Sequence, residues 1–148
     1  MDIKADIIVQ APIEKVWNII TDIESSVNVI SGIKKIEVME KPSTGLVGLK
    51  WEETRIMFGK TATEIMWITE AEENQFYQTR AEHPNVVYIS KLSLAEEGSQ
   101  TRLAMEFKAH ISSFGTRIMS AVMGIFFNKA TRDAIKQDLE DIKKAAEK

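Results

Sequence analysis

Cysteine is absent from this sequence of 148 residues, and its absence excludes several kinds of site at once. Without cysteine there is no disulfide framework, no thiolate nucleophile and no zinc or iron–sulfur site built on sulfur. The fold must be held by packing, and the composition fits a cytoplasmic protein. The sequence also contains no HExxH, no Gly-rich phosphate loop after a strand, no GxSxG and no calcium loop. We therefore predict no metal and no cofactor.

An excess of positive charge and a long hydrophobic run are also missing. The 19 Lys and Arg face 22 Asp and Glu, a net charge of −3, so no basic field attracts nucleic acid. The longest uncharged apolar run, IMSAVMGIFF, would be about 15 Å long as a helix, against ~30 Å of hydrocarbon in a bilayer. The N-terminus has acidic residues where a signal peptide would be basic. We predict no nucleic-acid partner, no stable membrane insertion and a cytoplasmic location.

The patterns that are present predict one domain over residues 1–148, a usual size for a single hydrophobic core. A half-buried strand is expected at 3–9. Pro12 then opens a helix that ends near Asp22, and a second short helical or irregular segment covers about 23–30. A helix of about thirty residues begins near Ser113. Six further strands, separated by turn residues, are predicted at about 33–40, 46–58, 60–71, 75–83, 86–96 and 101–111.

This order of elements is typical of the α+β class. Short turns between consecutive strands make the sheet antiparallel. A seven-stranded sheet covered by one long helix would curl around that helix because sheets twist, and a space would remain between them. The periodicity predicts these buried residues: Val16, Ile20, Leu103, Met105, Phe107, Ile135 and Leu139.

The last helix is apolar all round in its first half and amphipathic in its second half. A helix that only covers a core normally shows an apolar stripe rather than an apolar cylinder. The mixed charges of KQDLEDIKKAAEK are most simply a solvated outer face. The question is what surrounds the first half.

Several segments resemble a known family in their order and spacing. APIEKVWNIITDIES, GIKKIEV, GLVGLKWEETRIMFGKTATEIMWITEAE, EEGSQTRLAMEF and DLEDIKKAAE look like the START-like, or SRPBCC, superfamily, and most like its polyketide cyclase/dehydratase-like group. The resemblance covers essentially the whole chain. It implies a helix-grip fold, in which a curved seven-stranded antiparallel sheet, with two short helical segments after its first strand, wraps around a long C-terminal helix. It also implies a deep cavity for lipids, polyketides or other apolar molecules.

The implied cavity suggests which residues bind a ligand. The first half of the last helix would face ligand or sheet, which answers the question of its apolar cylinder. Methionine adapts to varied apolar shapes, although these methionines could equally fill gaps in a core. The candidate ligand-binding residues are Trp51, Glu53, Met66, Tyr88, Met105, Phe107, Met119, Val122, Met123, Phe126 and Phe127.

Glu53 and Arg55 are candidates for a polar group inside the cavity. Alternation along a strand places them on one face with Trp51. If this face points inward, the pair can orient a ligand or supply an acid, with Tyr88 presenting a phenol. The alternative is a bulge or opposite register that leaves the pair in solvent or in a cross-strand ion pair, and Tyr88 at the edge of the core. His83 and His110 are expected to face solvent.

Three functions follow from these patterns. The leading hypothesis is a non-catalytic carrier or sensor of a small hydrophobic molecule. The second is a cyclase or dehydratase that uses Glu53 as the acid, with Tyr88 or Arg55 as its partner. The third is a protein-interaction module, which would show an exposed apolar patch in place of a pocket. A protein partner and the oligomeric state stay open, and the face that Glu53 occupies separates the first two.

Overall fold

The computed structural model describes residues 2–57, 59–112 and 121–148, and in the last segment it describes side chains from Asn128 onward. The order of elements is the predicted one. The elements are β1 (Asp2–Val9), α1 (Ile13–Thr21), a 3₁₀ helix (Ile23–Asn28), β2 (Ile33–Glu40), β3 (Lys50–Met57), β4 (Lys60–Glu72), β5 (Phe76–His83), β6 (Val86–Glu97), β7 (Gln100–Ile111) and α2 (Ala121–Ala146).

The strands form one antiparallel sheet of seven, in the order β1-β7-β6-β5-β4-β3-β2. Strands β2 to β7 follow one another as neighbours, and β1 joins the far edge by pairing with β7. Helix α1 and the 3₁₀ helix carry the chain from one edge of the sheet to the other. Irregular pairing near Glu70 in β4 and near Glu40 in β2 adds local twist. The sheet curves around α2, so the helix-grip fold is confirmed.

Strand β3 begins later than the pattern predicted. The expected start was residue 46, but Leu49 N donates a hydrogen bond of 3.0 Å to Leu46 O in a turn. Gly48 has φ of +96°, a left-handed conformation that a side chain would strain. The turn ends at Lys50, where the ladder with β4 starts.

The core lies between the helices and the inner face of the sheet, and it includes Ile33, Trp51, Ile68 and Tyr77 from β2 to β5. Four residues of α1 at helical spacing are buried: Ile13, Val16, Trp17 and Ile20. Leu103, Ile135 and Leu139 are also buried, as predicted, whereas Met105 and Phe107 are only half-buried. Both side chains pack against the core and are mostly covered, in line with the prediction, but they also border the cavity.

Helix α2 runs without a break through Gly124 to Ala146. Its predicted start, near Ser113, lies outside the described residues. Among the described helices, none has the length and apolar character needed to cross a membrane.

Candidate functional site

A cavity of about 690 Å³ lies between the inner face of the sheet and α2. This volume is within the range of small-molecule sites, roughly 300–1,000 Å³. Except at the start of β4, where Lys60, Thr61 and Ala62 all line it, the strands supply every second residue, because side chains alternate between the faces of a sheet. Helix α2 supplies residues at spacings of three and four, which lie on one helical face. These helical residues are Thr131, Ala134, Ile135, Asp138, Leu139 and Ile142.

Most of the cavity wall is apolar. The candidates Trp51, Met66, Met105 and Phe107 all line it. The ring of Tyr88 stacks on that of Phe107, with 5.6 Å between centroids and 28° between planes. This contact places Tyr88 in the wall rather than at the outer edge of the core. Burial and the nearby Glu64 charge raise the pKa of Tyr88 above its ordinary value, so the phenol stays neutral at pH 7.

The candidate ligand-binding side chains at the start of the last helix lie outside the part of the chain that the structure describes. Met119 lies outside the described residues, and the side chains of Val122, Met123, Phe126 and Phe127 do as well. The described side chains of α2 that reach the cavity run from Thr131 to Ile142.

Glu53 and Arg55 point into the cavity, so the outward alternative is wrong. Glu53 is 9% exposed. Its Oε2 accepts a hydrogen bond of 2.7 Å from Arg55 Nε, and its Oε1 accepts one of 3.2 Å from the indole N–H of Trp51. Both donors lie two residues away on β3. The strand therefore builds a polar cluster within a single face.

Asp138 completes this cluster, although the sequence patterns did not predict it as a site residue. Its Oδ2 accepts from Arg55 Nη2 at 2.8 Å, and its Oδ1 from Nη1 at 3.2 Å. The mixed charges of the helix tail predict a solvated outer face, but Asp138 is only 9% exposed. A sequence signal was present, since Thr131, Ile135, Asp138 and Ile142 follow helical spacing. We name Glu53, Arg55 and Asp138 the polar triad.

Burial and ion pairing compete within the polar triad. Burial raises the pKa of Asp138, and although Arg55 opposes this effect, the carboxyl stays above its ordinary value. Burial alone would lower the pKa of Arg55, but the charges of Asp138 and Glu53 outweigh it and raise that pKa. The guanidinium is therefore permanently charged between two carboxylates.

A second polar group lies at the rim of the cavity. Glu64 on β4 is the cross-strand partner of Glu53 and also lines the cavity. His83 Nε2 is 2.8 Å from Glu64 Oε1, and the His83 ring meets the edge of Tyr88 at 5.7 Å between centroids. His83 was expected in a turn facing solvent. It is exposed, yet it ends β5 and contacts two cavity residues.

Two further hydroxyl groups lie beside the cavity. The Tyr77 hydroxyl donates a hydrogen bond of 3.1 Å to Ile20 O, and burial raises its pKa. This hydroxyl therefore has a structural role. Thr131 is 5% exposed, and its Oγ1 has no hydrogen-bond partner within the described part of the chain. Neither residue was predicted from the sequence.

The arrangement offers no metal site among residues 2–57, 59–112 and 121–148, since no three His, Asp or Glu converge there. What it can do chemically is enclose an apolar body and hydrogen-bond one polar end. The carboxylates accept hydrogen bonds, and the Arg55 guanidinium donates them.

Comparisons with known proteins agree with this architecture. The profile of a family described as "Polyketide cyclase / dehydrase and lipid transport" matches residues 1–147. The Zhui aromatase/cyclase from Streptomyces sp. R1128 has a TM-score of 0.85 at 14% identity, covering 99% of this chain and 93% of that one. A START superfamily protein from Mycobacterium smegmatis has a TM-score of 0.83 at 15% identity, covering 99% and 97%. Such identities show the shared fold alone. The comparison with curated proteins found no significant match.

Proposed function

The chain belongs to the polyketide cyclase/dehydrase and lipid transport family, and from that premise we propose that it binds one small hydrophobic molecule in its cavity as a carrier or sensor. The whole chain, residues 1–148, acts in this proposal as one ligand-binding domain in the cytoplasm. The proposed ligand contacts on described residues are Trp51, Glu53, Met66, Tyr88, Met105 and Phe107. The proposal extends to Met119, Val122, Met123, Phe126 and Phe127.

The cavity itself is the observation that carries this proposal. A volume of about 690 Å³ inside a chain of this size is a large loss of packing, because protein interiors are otherwise close-packed. The half-buried Met105 and Phe107 show the same thing locally, since apolar side chains in a filled core would be covered. An interaction module would instead pack its interior and present its apolar surface outside. Ligand binding is the function that explains an open interior.

A matched pair of cavity-filling variants tests the proposal. Ser90 lines the cavity, whereas Ser93 of the same strand points to the opposite face. Ser90→Trp should weaken the uptake of the neutral dye Nile red about tenfold or more, because the indole occupies the volume that the dye needs. Ser93→Trp should bind the dye as the unaltered protein does. Equal dye binding by both variants, measured by fluorescence titration, would contradict the proposed site.

The polar triad inside the cavity favours catalysis as a second candidate function. Glu53 lies 2.7 Å from Arg55 in the cavity wall, within reach of a bound carbonyl or hydroxyl. If the protein is a cyclase or dehydratase, Glu53→Gln should abolish turnover of a poly-β-ketone substrate and leave binding intact, since proton transfer matters only in the transition state. Full turnover by Glu53→Gln would exclude this carboxylate as the essential acid or base.

A further inference from the structure

We propose that the cavity selects ligands whose polar end donates hydrogen bonds and carries no negative charge, a hydroxyl or a protonated amine, and that it discriminates against carboxylates and phosphates. This inference rests on the proposed function, because it specifies the head group of the same ligand. The ligand is then an amphipathic alcohol or amine rather than a fatty acid or an anionic lipid.

The balance of charge in the cavity wall is the first observation. Among the described residues, the charged groups that line the cavity are Glu53, Arg55, Lys60, Glu64 and Asp138. Three carboxylates thus face two cations. Lys60 is exposed at the start of β4, where water and salt screen its charge. An anionic head group would therefore enter a wall that already carries excess negative charge.

The geometry of Arg55 is the second observation. Its Nε is 2.7 Å from Glu53 Oε2, and its Nη2 is 2.8 Å from Asp138 Oδ2. Gly32 lies against the guanidinium: a Cβ atom at this position would be 3.4 Å from Arg55 Nη1. Two carboxylates thus take up the charge and three of the five N–H groups of Arg55. A carboxylate on a ligand would find only two N–H groups left, on a guanidinium that already has two carboxylate partners.

The acceptors of the polar triad are less completely used than the donors. A carboxylate has about four lone-pair sites. Glu53 accepts from Trp51 and Arg55, and Asp138 accepts twice from Arg55. Each carboxylate can accept further hydrogen bonds from a hydroxyl or an ammonium group. The wall is consequently better suited to a donor than to an acceptor.

The residues at the rim of the cavity also favour a head group without negative charge. Glu64 lies across the strand pair from Glu53, and its Oε1 already meets His83 Nε2 at 2.8 Å. The Tyr88 phenol stays neutral, so it adds no charge to the cavity wall. A head group that passes the rim therefore meets the same sign of charge at both levels.

Three ligands of equal chain length test the inference. Decylamine, decanol and decanoate share one apolar tail and differ in the charge of the head group. Each is titrated at pH 7.5 against bound Nile red on the full chain, below its aggregation concentration. We expect decylamine and decanol to displace the dye at concentrations about tenfold or more below that of decanoate, as Coulomb repulsion at close range predicts. Decanoate that competes as well as decylamine would overturn the inference.

Charge-neutral variants separate wall charge from the general cost of desolvating an anion. Glu53→Gln and Glu64→Gln each remove a negative charge. Each should reduce, about tenfold, the ratio of the decanoate concentration to the decylamine concentration needed to displace Nile red. Glu64→Gln changes a rim residue and keeps the test available if Glu53→Gln fails to fold. Glu52→Gln is the matched control, because Glu52 points to the opposite face of β3, and it should leave the ratio unchanged. A ratio that neither cavity variant alters would also overturn the inference.

The outcomes distinguish this inference from the function on which it rests. Nile red that binds and is displaced by decanoate as readily as by decylamine overturns the head-group preference and leaves ligand binding standing. Nile red that binds but is displaced by none of the three also overturns the preference alone. A protein that binds neither the dye nor any decyl compound overturns both.

Discussion

Two buried threonines show how one hydroxyl group can have opposite effects in the same fold. Thr101 on β7 is fully buried and donates a hydrogen bond of 2.8 Å to Ala11 O. Thr131 on α2 is 5% exposed, and its Oγ1 has no partner within the described residues. A buried polar group without a partner costs about 1–3 kcal/mol, whereas a satisfied one stabilises the fold. The two residues therefore form a natural comparison.

We predict that Thr131→Val stabilises the ligand-free protein by about 1 kcal/mol, because valine keeps the shape and removes an unpaired hydroxyl. The corresponding rise in Tm is about 2–4 °C. Thr101→Val should instead destabilise the fold by about 1–3 kcal/mol, since Ala11 O loses its donor. Thermal unfolding of both variants measures this. A loss of stability in Thr131→Val equal to that in Thr101→Val would show that the Thr131 hydroxyl is already satisfied.

Asp138 makes the stability of the protein depend on pH in an unusual direction. Its pKa is raised in the folded state, mainly by burial, so the folded state holds the proton more tightly than the unfolded state does. The contribution of this group is fully present below the ordinary aspartate pKa, near 3.8. It is lost as the pH rises through the higher folded-state pKa.

We predict that Asp138→Asn gains stability relative to the unaltered protein as the pH rises from about 4 to 7. Each unit by which the pKa is raised corresponds to about 1.4 kcal/mol. Urea unfolding of both proteins across this range gives the difference in the free energy of unfolding. Exposed carboxylates with lowered pKa values, such as Glu106 and Asp133, act in the opposite sense, but they occur in both proteins and cancel. A difference that is constant with pH would mean that the Asp138 pKa is not raised.

At the scale of elements, β7 passes from packed core to cavity wall within one face. Leu103 is fully buried against β1 and β6, while Met105 and Phe107, two and four residues later on the same face, are half-buried. The alternation along the strand is regular throughout. What changes is the set of atoms opposite, because α2 and the core cover one end of the strand and the cavity borders the other.

We predict that the loss of stability caused by truncation to alanine is larger at the packed end of β7 than at the end that borders the cavity. Leu103→Ala should destabilise by about 2–5 kcal/mol, since it leaves a hole in packed surroundings. Met105→Ala should cost less than half as much, because a wall that borders open space loses fewer contacts. The same Met105→Ala change should weaken the binding of Nile red, whereas Leu103→Ala should not. Urea unfolding and dye titration measure the two effects, and equal costs would indicate that Met105 packs as a core residue.

Helix α2 combines structural and functional residues on one face. Leu139 and Ile142 belong to the core, and Asp138, directly before Leu139, pairs its carboxylate with Arg55. The next turn attaches the helix to the loop before β2, where Asp141 Oδ2 accepts from Ser31 N at 2.9 Å and from Ser31 Oγ at 2.8 Å. These contacts fix the rotation of the helix, and the rotation decides that Asp138 faces inward.

At the scale of the whole molecule, the cavity results from topology rather than from any one element. β1 pairs with β7 at one edge, while β2 forms the other edge, and the chain crosses between them through α1 and the 3₁₀ helix. Helix α2 packs mainly on β1, and strands β3 to β7 line the cavity together with it. Ligand volume is therefore provided by residues that lie far apart in sequence, from Ile19 to Ile142.

The order of elements, the antiparallel sheet and the buried face of α1 were determined by sequence alone. These features depend on local periodicity and on turn residues, which act between neighbours in the chain. Alternation likewise predicted that Glu53 and Arg55 share a face with Trp51. The start of β3 was predicted too early. The residues around the left-handed turn at Gly48 are mostly apolar, and such a pattern is typical of a strand.

Tertiary structure alone decided which faces point inward and what they meet there. Periodicity assigns residues to a common face, but it does not say whether that face borders core, cavity or solvent. Glu53 and Arg55 could have lain on either side of the sheet, and Asp138, 83 positions after Arg55, meets it only because α2 docks across the sheet. Burial of a charged residue depends on a partner from a distant segment. The sequence near Asp138 carries no trace of that partner, so only the folded chain identifies the polar triad.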